Sequence, residues 1–248
     1  MVVRVILQPG YLLHRRPYRD TSQLMEVFTA EHGRLSLVAR GVRRKARGGS
    51  TGAIVQPFVP LLLSFTGRTD LKTLTGAEVA GGAIALRGER LFSGLYVNEL
   101  LLRLLHKHDP YPQLFANYAK TLQELAGADR AEETLRRFEF GLLDELGYSF
   151  DLAHDAMTGA AIEEQTWYRY QADSGLVATQ RGHDVAVPAF IGADLLALSR
   201  GEYTGDARRT AKRLLRQVLY EHLDGQPLRS RDLFSQFRQS SRAEGLLS

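Results

Sequence analysis

The sequence has 248 residues, 44% of them apolar, and a formal net charge of +4, which supplies a packed core and sets it apart from disordered chains. Its lack of cysteine excludes a disulfide framework, a cysteine nucleophile, an iron–sulfur cluster and a thiolate zinc site. The opening MVVRVILQPGYLLHRR does not have the form of a signal peptide, and the uncharged run Ile54–Phe65 is shorter than the about 20 residues of a membrane helix, so a soluble intracellular protein is expected.

Residues 1–80 read as strands. Val2–Leu7 is a short apolar run, Pro9-Gly10 signals a turn, and Tyr11-Leu12-Leu13 resumes the extended chain. Leu24–Thr29 is rich in β-formers, and Glu31-His32-Gly33 turns into Leu35–Arg40, where Leu35, Leu37 and Ala39 alternate with Ser36, Val38 and Arg40. Phe58–Phe65, with Pro60 weakening its first part, and Leu71–Glu78 complete a small barrel or sandwich. Gly81-Gly82 is a plausible joint.

From Leu91 the period becomes helical. Leu91, Leu95, Asn98, Leu102 and Leu105 share a face of a helix expected to end near His108-Asp109-Pro110. Leu114, Tyr118, Leu122 and Leu125 mark a second, opening at Pro112 and closing at Gly127. Asp129 with Glu132 resembles a capping box for a third, which stops at Gly147. A mixed segment, 150–188, contains a hairpin over Thr166–Ala178 that turns at Ala172–Gly175, and helices return at Phe190–Ser199, Ala207–Leu223 and Arg231–Phe237. The fold class is therefore α+β multidomain: residues 1–80 all-β, residues 81–248 mostly helical with a small β insertion.

Charge is unevenly distributed. Residues 1–80 hold 12 Lys/Arg against 5 Asp/Glu, residues 81–199 hold 10 against 17, and residues 200–248 hold 10 against 6. A basic N-terminal third draws polyanions, nucleic acid foremost. The plainer reading is charge that keeps the surface soluble. No P-loop, GxGxxG or GxSxG motif occurs. His106 and His108, read as i and i+2 on a helix, point apart and cannot share a metal there. No catalytic constellation, metal site or cofactor is expected, and a binding protein is favoured.

The sharpest local signal is the run Arg40-Gly41-Val42-Arg43-Arg44-Lys45-Ala46-Arg47-Gly48-Gly49-Ser50. Cations at this density repel one another in a free loop, and a phosphate backbone relieves that repulsion while releasing counterions. Between two strands of a small barrel the loop would flank the groove where oligonucleotide-binding barrels hold single strands. Arg34, Arg15-Arg16, Arg68 and Lys72 could extend the track. Tyr11, Tyr18 and Phe28 are candidates for base stacking or for the core. A merely solvated loop is the alternative.

The ordered set Leu37-Val38-Ala39-Arg40-Gly41-Val42-Arg43, Gln56-Pro57-Phe58-Val59-Pro60-Leu61-Leu62-Leu63-Ser64-Phe65, Gly67-Arg68, Leu71-Lys72-Thr73-Leu74, Tyr96-Val97-Asn98-Glu99-Leu100-Leu101, Leu135-Arg136-Arg137-Phe138-Glu139 and Leu228-Arg229-Ser230-Arg231-Asp232-Leu233-Phe234 resembles the RecO family of bacterial recombination mediators. The resemblance runs from the first strand to about residue 238. It implies an N-terminal OB-fold barrel over residues 1–80 and a helical domain over 81–248. It also implies binding of single- and double-stranded DNA, annealing of complementary strands, and, with RecR, loading of RecA onto DNA coated by single-stranded DNA-binding protein (SSB). The acidic, hydrophobic C-terminal tail of SSB would be gripped by the helical domain. The setting implied is the cytoplasm, close to the nucleoid.

Many members carry four zinc-binding cysteines in an insertion that corresponds here to about residues 150–184, and this chain has none. Zinc is not expected, and the insertion must hold by packing of Trp167, Tyr168 and Tyr170. An SSB tail needs cations beside an apolar pocket. The motif match favours Arg136 and Arg137, with Leu101, Leu105 and Tyr118 as walls. Arg209, Lys212, Arg213 and Arg216 recur at helical spacing and offer a second DNA surface. The DNA-binding set is thus Arg34, Arg40, Arg43, Arg44, Lys45, Arg47, Arg68 and Lys72 with those four. A metal-dependent nuclease using scattered carboxylates and an RNA-binding barrel module are the alternatives.

Overall fold

The computed structural model describes residues 3–40, 54–127, 131–180 and 188–244. It divides into two compact units, Met1–Ala131 with Leu228–Ser248, and Glu132–Pro227. The elements in chain order are β1 (Val3–Tyr18), β2 (Ser22–Thr29), β3 (Gly33–Ala39), β4 (Leu61–Gly67), β5 (Leu71–Val79), α1 (Glu89–Leu104), α2 (Pro112–Gly127), α3 (Ala131–Glu145), β6 (Trp167–Gln171), β7 (Gly175–Thr179), β8 (Ala189–Ile191), α4 (Gly192–Ser199), α5 (Gly205–His222) and α6 (Arg229–Glu244). No described helix is long and apolar enough to cross a membrane.

In the first unit five strands close into a barrel in the order β1-β2-β3-β5-β4. Every pairing is antiparallel except β3 with β5, where Ser36, Leu37 and Val38 run parallel to Leu71, Lys72 and Thr73. One outward row leads from Arg16 through Leu24, Val38, Thr73 and Thr66 to Arg4, so the sheet closes on β1 displaced along that strand. This is the staggered closure of a small barrel and the OB-fold arrangement. Leu12, Met25, Val27, Leu35, Leu37, Leu61, Leu63 and Phe65 fill the interior.

Pro9-Gly10 is not a turn. Both residues lie inside β1, paired with Leu62 and Leu61. Register shifts between Val5 and Gln8 and between Leu12 and His14 bend this one strand around two partners. The Pro9 carbonyl accepts from Ala30 N–H at 3.1 Å, and a Cβ on Gly10 would stand 2.9 Å from the Leu63 side chain. The glycine serves close packing, which local sequence does not distinguish from a turn.

α1 and α2 cover part of the barrel's outer face. Asn98 Nδ2 donates to the Leu13 carbonyl at 3.1 Å, and its Oδ1 accepts from Tyr118 Oη at 2.7 Å. Tyr11 and Phe28 lie against Phe115 and Tyr118 with ring centroids 5.1–6.2 Å apart. Burial pushes the Tyr118 phenol well above its ordinary value. Tyr11 and Phe28 are therefore core residues and present no face to a nucleobase. α1 ends at Leu104 rather than near residue 108, because residues 105–108 dock on β3: Lys107 bridges Arg34, and His108 N–H donates to the Arg34 carbonyl at 3.0 Å. The histidines thus lie outside the helix. α6 starts at the Glu99 carboxylate of α1, which accepts from Arg229 N–H (2.9 Å), Ser230 N–H (2.8 Å) and Ser230 Oγ (2.6 Å). That caps donors a helix start leaves open.

In the second unit β6 and β7 form the expected hairpin, and β8 adds a third strand, in the order β7-β6-β8. The helix expected from Phe190 starts instead at Gly192, since Ala189–Ile191 pair with β6. A Cβ on Gly192 would overlap the Glu163 carbonyl, so the strand-to-helix corner there requires glycine. Leu214, Leu215, Val218 and Leu219 bury the inner face of α5. Tyr168 and Tyr170 are buried and Trp167 half-buried, and Tyr170 meets Phe150 at 5.0 Å. The turn after His154 is fastened by Asp155, whose Oδ2 accepts from Ala178 N–H of β7 at 2.7 Å.

Candidate nucleic-acid interface

Cations of the barrel fall into three settings. Arg34 is internal: Nε donates to the Leu105 carbonyl at 3.0 Å, and a terminal nitrogen pairs with Glu26 at 3.0 Å. Glu26 also accepts from Ser36 Oγ at 2.6 Å, and Lys107 Nζ donates to that hydroxyl at 2.7 Å. These groups clasp β2, β3 and the α1–α2 connection, so Arg34 leaves the phosphate track expected for it and becomes a structural arginine. Arg15 likewise reaches inward along the barrel wall, to the Val55 carbonyl (3.2 Å) and Gln56 Oε1 (3.1 Å).

The second setting is the β1–β2 hairpin end. Arg16, Arg19 and Arg40 are exposed, and Ala39 pairs with Gln23, which in turn pairs with Pro17. The end of β3 and this hairpin therefore share one end of the sheet. Arg19 stacks over Tyr18, 5.3 Å from the ring centroid, leaving a cation–aromatic pair beside Arg40. Arg43, Arg44, Lys45 and Arg47 follow Arg40 in sequence and lie outside the described residues.

The third setting is the β4–β5 turn. Arg68 is exposed and Lys72 half-buried. Arg4, exposed on β1, pairs in register with Thr66, whose partner is Thr73. Asp70 of the same turn lies 3.5 Å from His108 Nε2. Arg68 and Lys72 thus group with Arg4 rather than with Arg40.

In the second unit Arg209, Lys212, Arg213 and Arg216 are all exposed on α5. Lys212 pairs with Glu132 at 3.3 Å, Arg208 with the same carboxylate at 3.6 Å, and Arg209 with Asp206. Arg213 lies 5.4 Å over the Phe190 ring. Arg213 and Arg216 carry no ion pair among the described residues.

The residues assigned to an SSB tail are placed otherwise. Leu101, Leu105 and Tyr118 are buried in the first unit, and Tyr118 spends its hydroxyl on Asn98. Arg136, in the second unit, is buried and pairs with the fully buried Glu139 at 2.9 Å. Arg137 is half exposed and pairs with Glu133 at 3.1 Å. Of the five, Arg137 alone offers a cation at the surface, and the three apolar walls belong to the core. Among the described residues no three His, Asp or Glu side chains converge on a metal-sized site. His154 is exposed and pairs with Asp151 at 2.7 Å. Arg4, Arg19 and Tyr220 were not singled out in the sequence. For Tyr220 a signal was present, since it follows Arg216 at i+4 on the exposed face of α5.

Comparison with known proteins agrees with this architecture. The family described as "Recombination protein O N terminal" matches residues 2–83, and "Recombination protein O C terminal" matches residues 86–232. The chain is 45% identical over 232 residues to the "DNA repair protein RecO" of Methylococcus capsulatus, covering 93% of each chain. It is 48% identical over 237 residues to that of Nitrosococcus oceani, covering 95% of each. With the Haemophilus influenzae relative it shares 45% over 231 residues, 93% of this chain and 96% of that one. A closed five-stranded barrel, a helical continuation and these matches together make the chain a member of the RecO family of DNA repair proteins.

Proposed function

We propose that this protein is a recombination mediator that binds single- and double-stranded DNA through its phosphates, anneals complementary strands, and with RecR promotes RecA loading onto SSB-coated single strands. The observation that carries the reading is the pair of exposed basic surfaces, one at the Arg16–Arg19–Arg40 end of the barrel and one on α5, in a chain of the RecO family. Each surface holds one strand through its backbone, so two strands are held at once without reading sequence. Such a device works by binding alone and requires no nucleotide. Engagement of the SSB tail directs it to coated DNA, with Arg137, half exposed and paired with Glu133, as the cation that meets the tail's carboxylates.

Fluorescence anisotropy with a labelled oligonucleotide across a salt series tests the DNA claim. Four to six phosphate contacts predict a slope of log affinity on log salt of roughly −3 to −4 for single strands. Joint replacement of Arg40, Arg43, Arg44, Lys45 and Arg47 by alanine weakens binding to all sequences alike and flattens that slope. Unchanged affinity in this variant would remove the loop from the interface.

A further inference from the structure

We propose that the exposed face of α5 is a binding site for single-stranded nucleic acid, in which Arg213 and Arg216 hold phosphates and an unpaired base stacks on Tyr220. The proposal rests on the reading of α5 as a DNA surface and adds the strand type and the residue that selects it. Arg209, Arg213, Arg216 and Tyr220 follow one another at i, i+4, i+7 and i+11, which sets them along one helical face about 16 Å long. Arg209 is shared with Asp206, so the two arginines nearest the tyrosine carry the available charge. Tyr220 is 56% exposed, although it is a large aromatic.

One edge of the ring packs against the turn that follows α5. α5 ends in a left-handed turn in which Asp224 (φ 52°) and Gly225 (φ 70°) reverse the chain, and Gly225 N–H donates to the Tyr220 carbonyl at 2.9 Å. A Cβ on Gly225 would lie 3.2–3.6 Å from the hydroxyl and ring carbons of Tyr220. The glycine therefore lets the turn close against the ring, and the rest of the ring stays open to solvent. Asp224, exposed just beyond it, bounds the cationic stripe. Neighbouring Glu221 is half-buried and accepts from Gln217 Nε2 at 3.3 Å, so its carboxylate is engaged beside the stripe.

A cationic stripe ending in an open aromatic suits a single strand, whose bases are available for stacking, whereas duplex bases are already stacked. An acidic peptide with an apolar side chain would instead need a concavity to bury that group, and Tyr220 stands 56% exposed near the end of α5.

The test uses the full chain in anisotropy titrations with labelled oligo(dT) and with a duplex of equal length. Y220A weakens oligo(dT) binding about tenfold, the scale of losing one base from an aromatic platform, and leaves duplex affinity within about twofold. Y220F, which keeps the ring, retains oligo(dT) affinity. R216A lowers the salt slope on oligo(dT) by about 0.7, and Y220A leaves that slope unchanged. Y220A binding oligo(dT) as well as the unaltered protein does, or losing duplex and oligo(dT) affinity equally, would overturn the proposal while leaving DNA binding intact. So would a loss confined to a labelled oligo-aspartate peptide ending in phenylalanine, which would give the face to a protein partner. An unaltered protein that binds neither DNA would overturn the underlying reading as well.

Discussion

The Asp155 carboxylate accepts from Met157 N–H (2.9 Å), Thr158 N–H (2.8 Å), Thr158 Oγ1 (3.0 Å) and Ala178 N–H (2.7 Å). These donors favour the ionised form, the Ala178 amide most of all, and hold the carboxyl below its ordinary value of 3.8. A group with a lowered folded pKa contributes stability that is present above the unfolded value and is lost as pH falls through the folded one. Asp155→Asn should therefore flatten the acid limb of a plot of Tm against pH, and Asp155→Ala should cost about 1–3 kcal/mol by leaving buried donors unmade. An acid limb identical in both proteins would remove this role. In this cysteine-free insertion the Asp155 carboxylate thus fastens the turn after His154 to β7. Its short-range pattern, an aspartate two and three residues before its donors, was visible in the sequence, but the long-range partner Ala178 was not. Gly33 is the other demanding position: it has φ 62° and a Cβ there would overlap the Asp109 carbonyl. Gly33→Ala should lose more than about 2 kcal/mol, from a left-handed backbone and a displaced connection, read as a drop in the urea midpoint.

At the scale of elements, the α1 residues Asn98 and Glu99 bind successive parts of the first unit. Asn98 holds β1 and α2, and Glu99 holds the first amides of α6. Glu99→Ala should release α6, costing about 1–3 kcal/mol and speeding amide exchange over 229–237 while the barrel amides remain protected. Equal protection of α6 in the variant would contradict the capping role. Element type was legible where periodicity was strong, as in α2, α5 and the β6–β7 hairpin. It failed where tertiary contacts decide. Pro9-Gly10 stays in β1 because two partners bracket it, α1 stops when Lys107 reaches β3, and Ala189–Ile191 become a strand by pairing with β6. No local window contains those partners.

For the whole molecule, the basic–acidic–basic distribution of charge counts the exposed cations at the barrel end and on α5, but does not separate exposed arginines from structural ones. Arg34 and Arg136 carry the same charge as Arg40 and Arg213, yet they pair with the inward carboxylates of Glu26 and Glu139. Annealing requires two strands held together, so R209A/K212A/R213A/R216A should slow annealing more than it weakens binding of one strand, whereas loss of the barrel cations should weaken both. Equal effects of the two variants on both readouts would argue against a division of labour. The most direct measurement follows fluorescence transfer between two complementary labelled strands, each pre-coated with SSB, in the absence of ATP. This protein should accelerate their annealing. Strands that anneal no faster with the protein than without it, coated or bare, would contradict the proposal that it is a mediator.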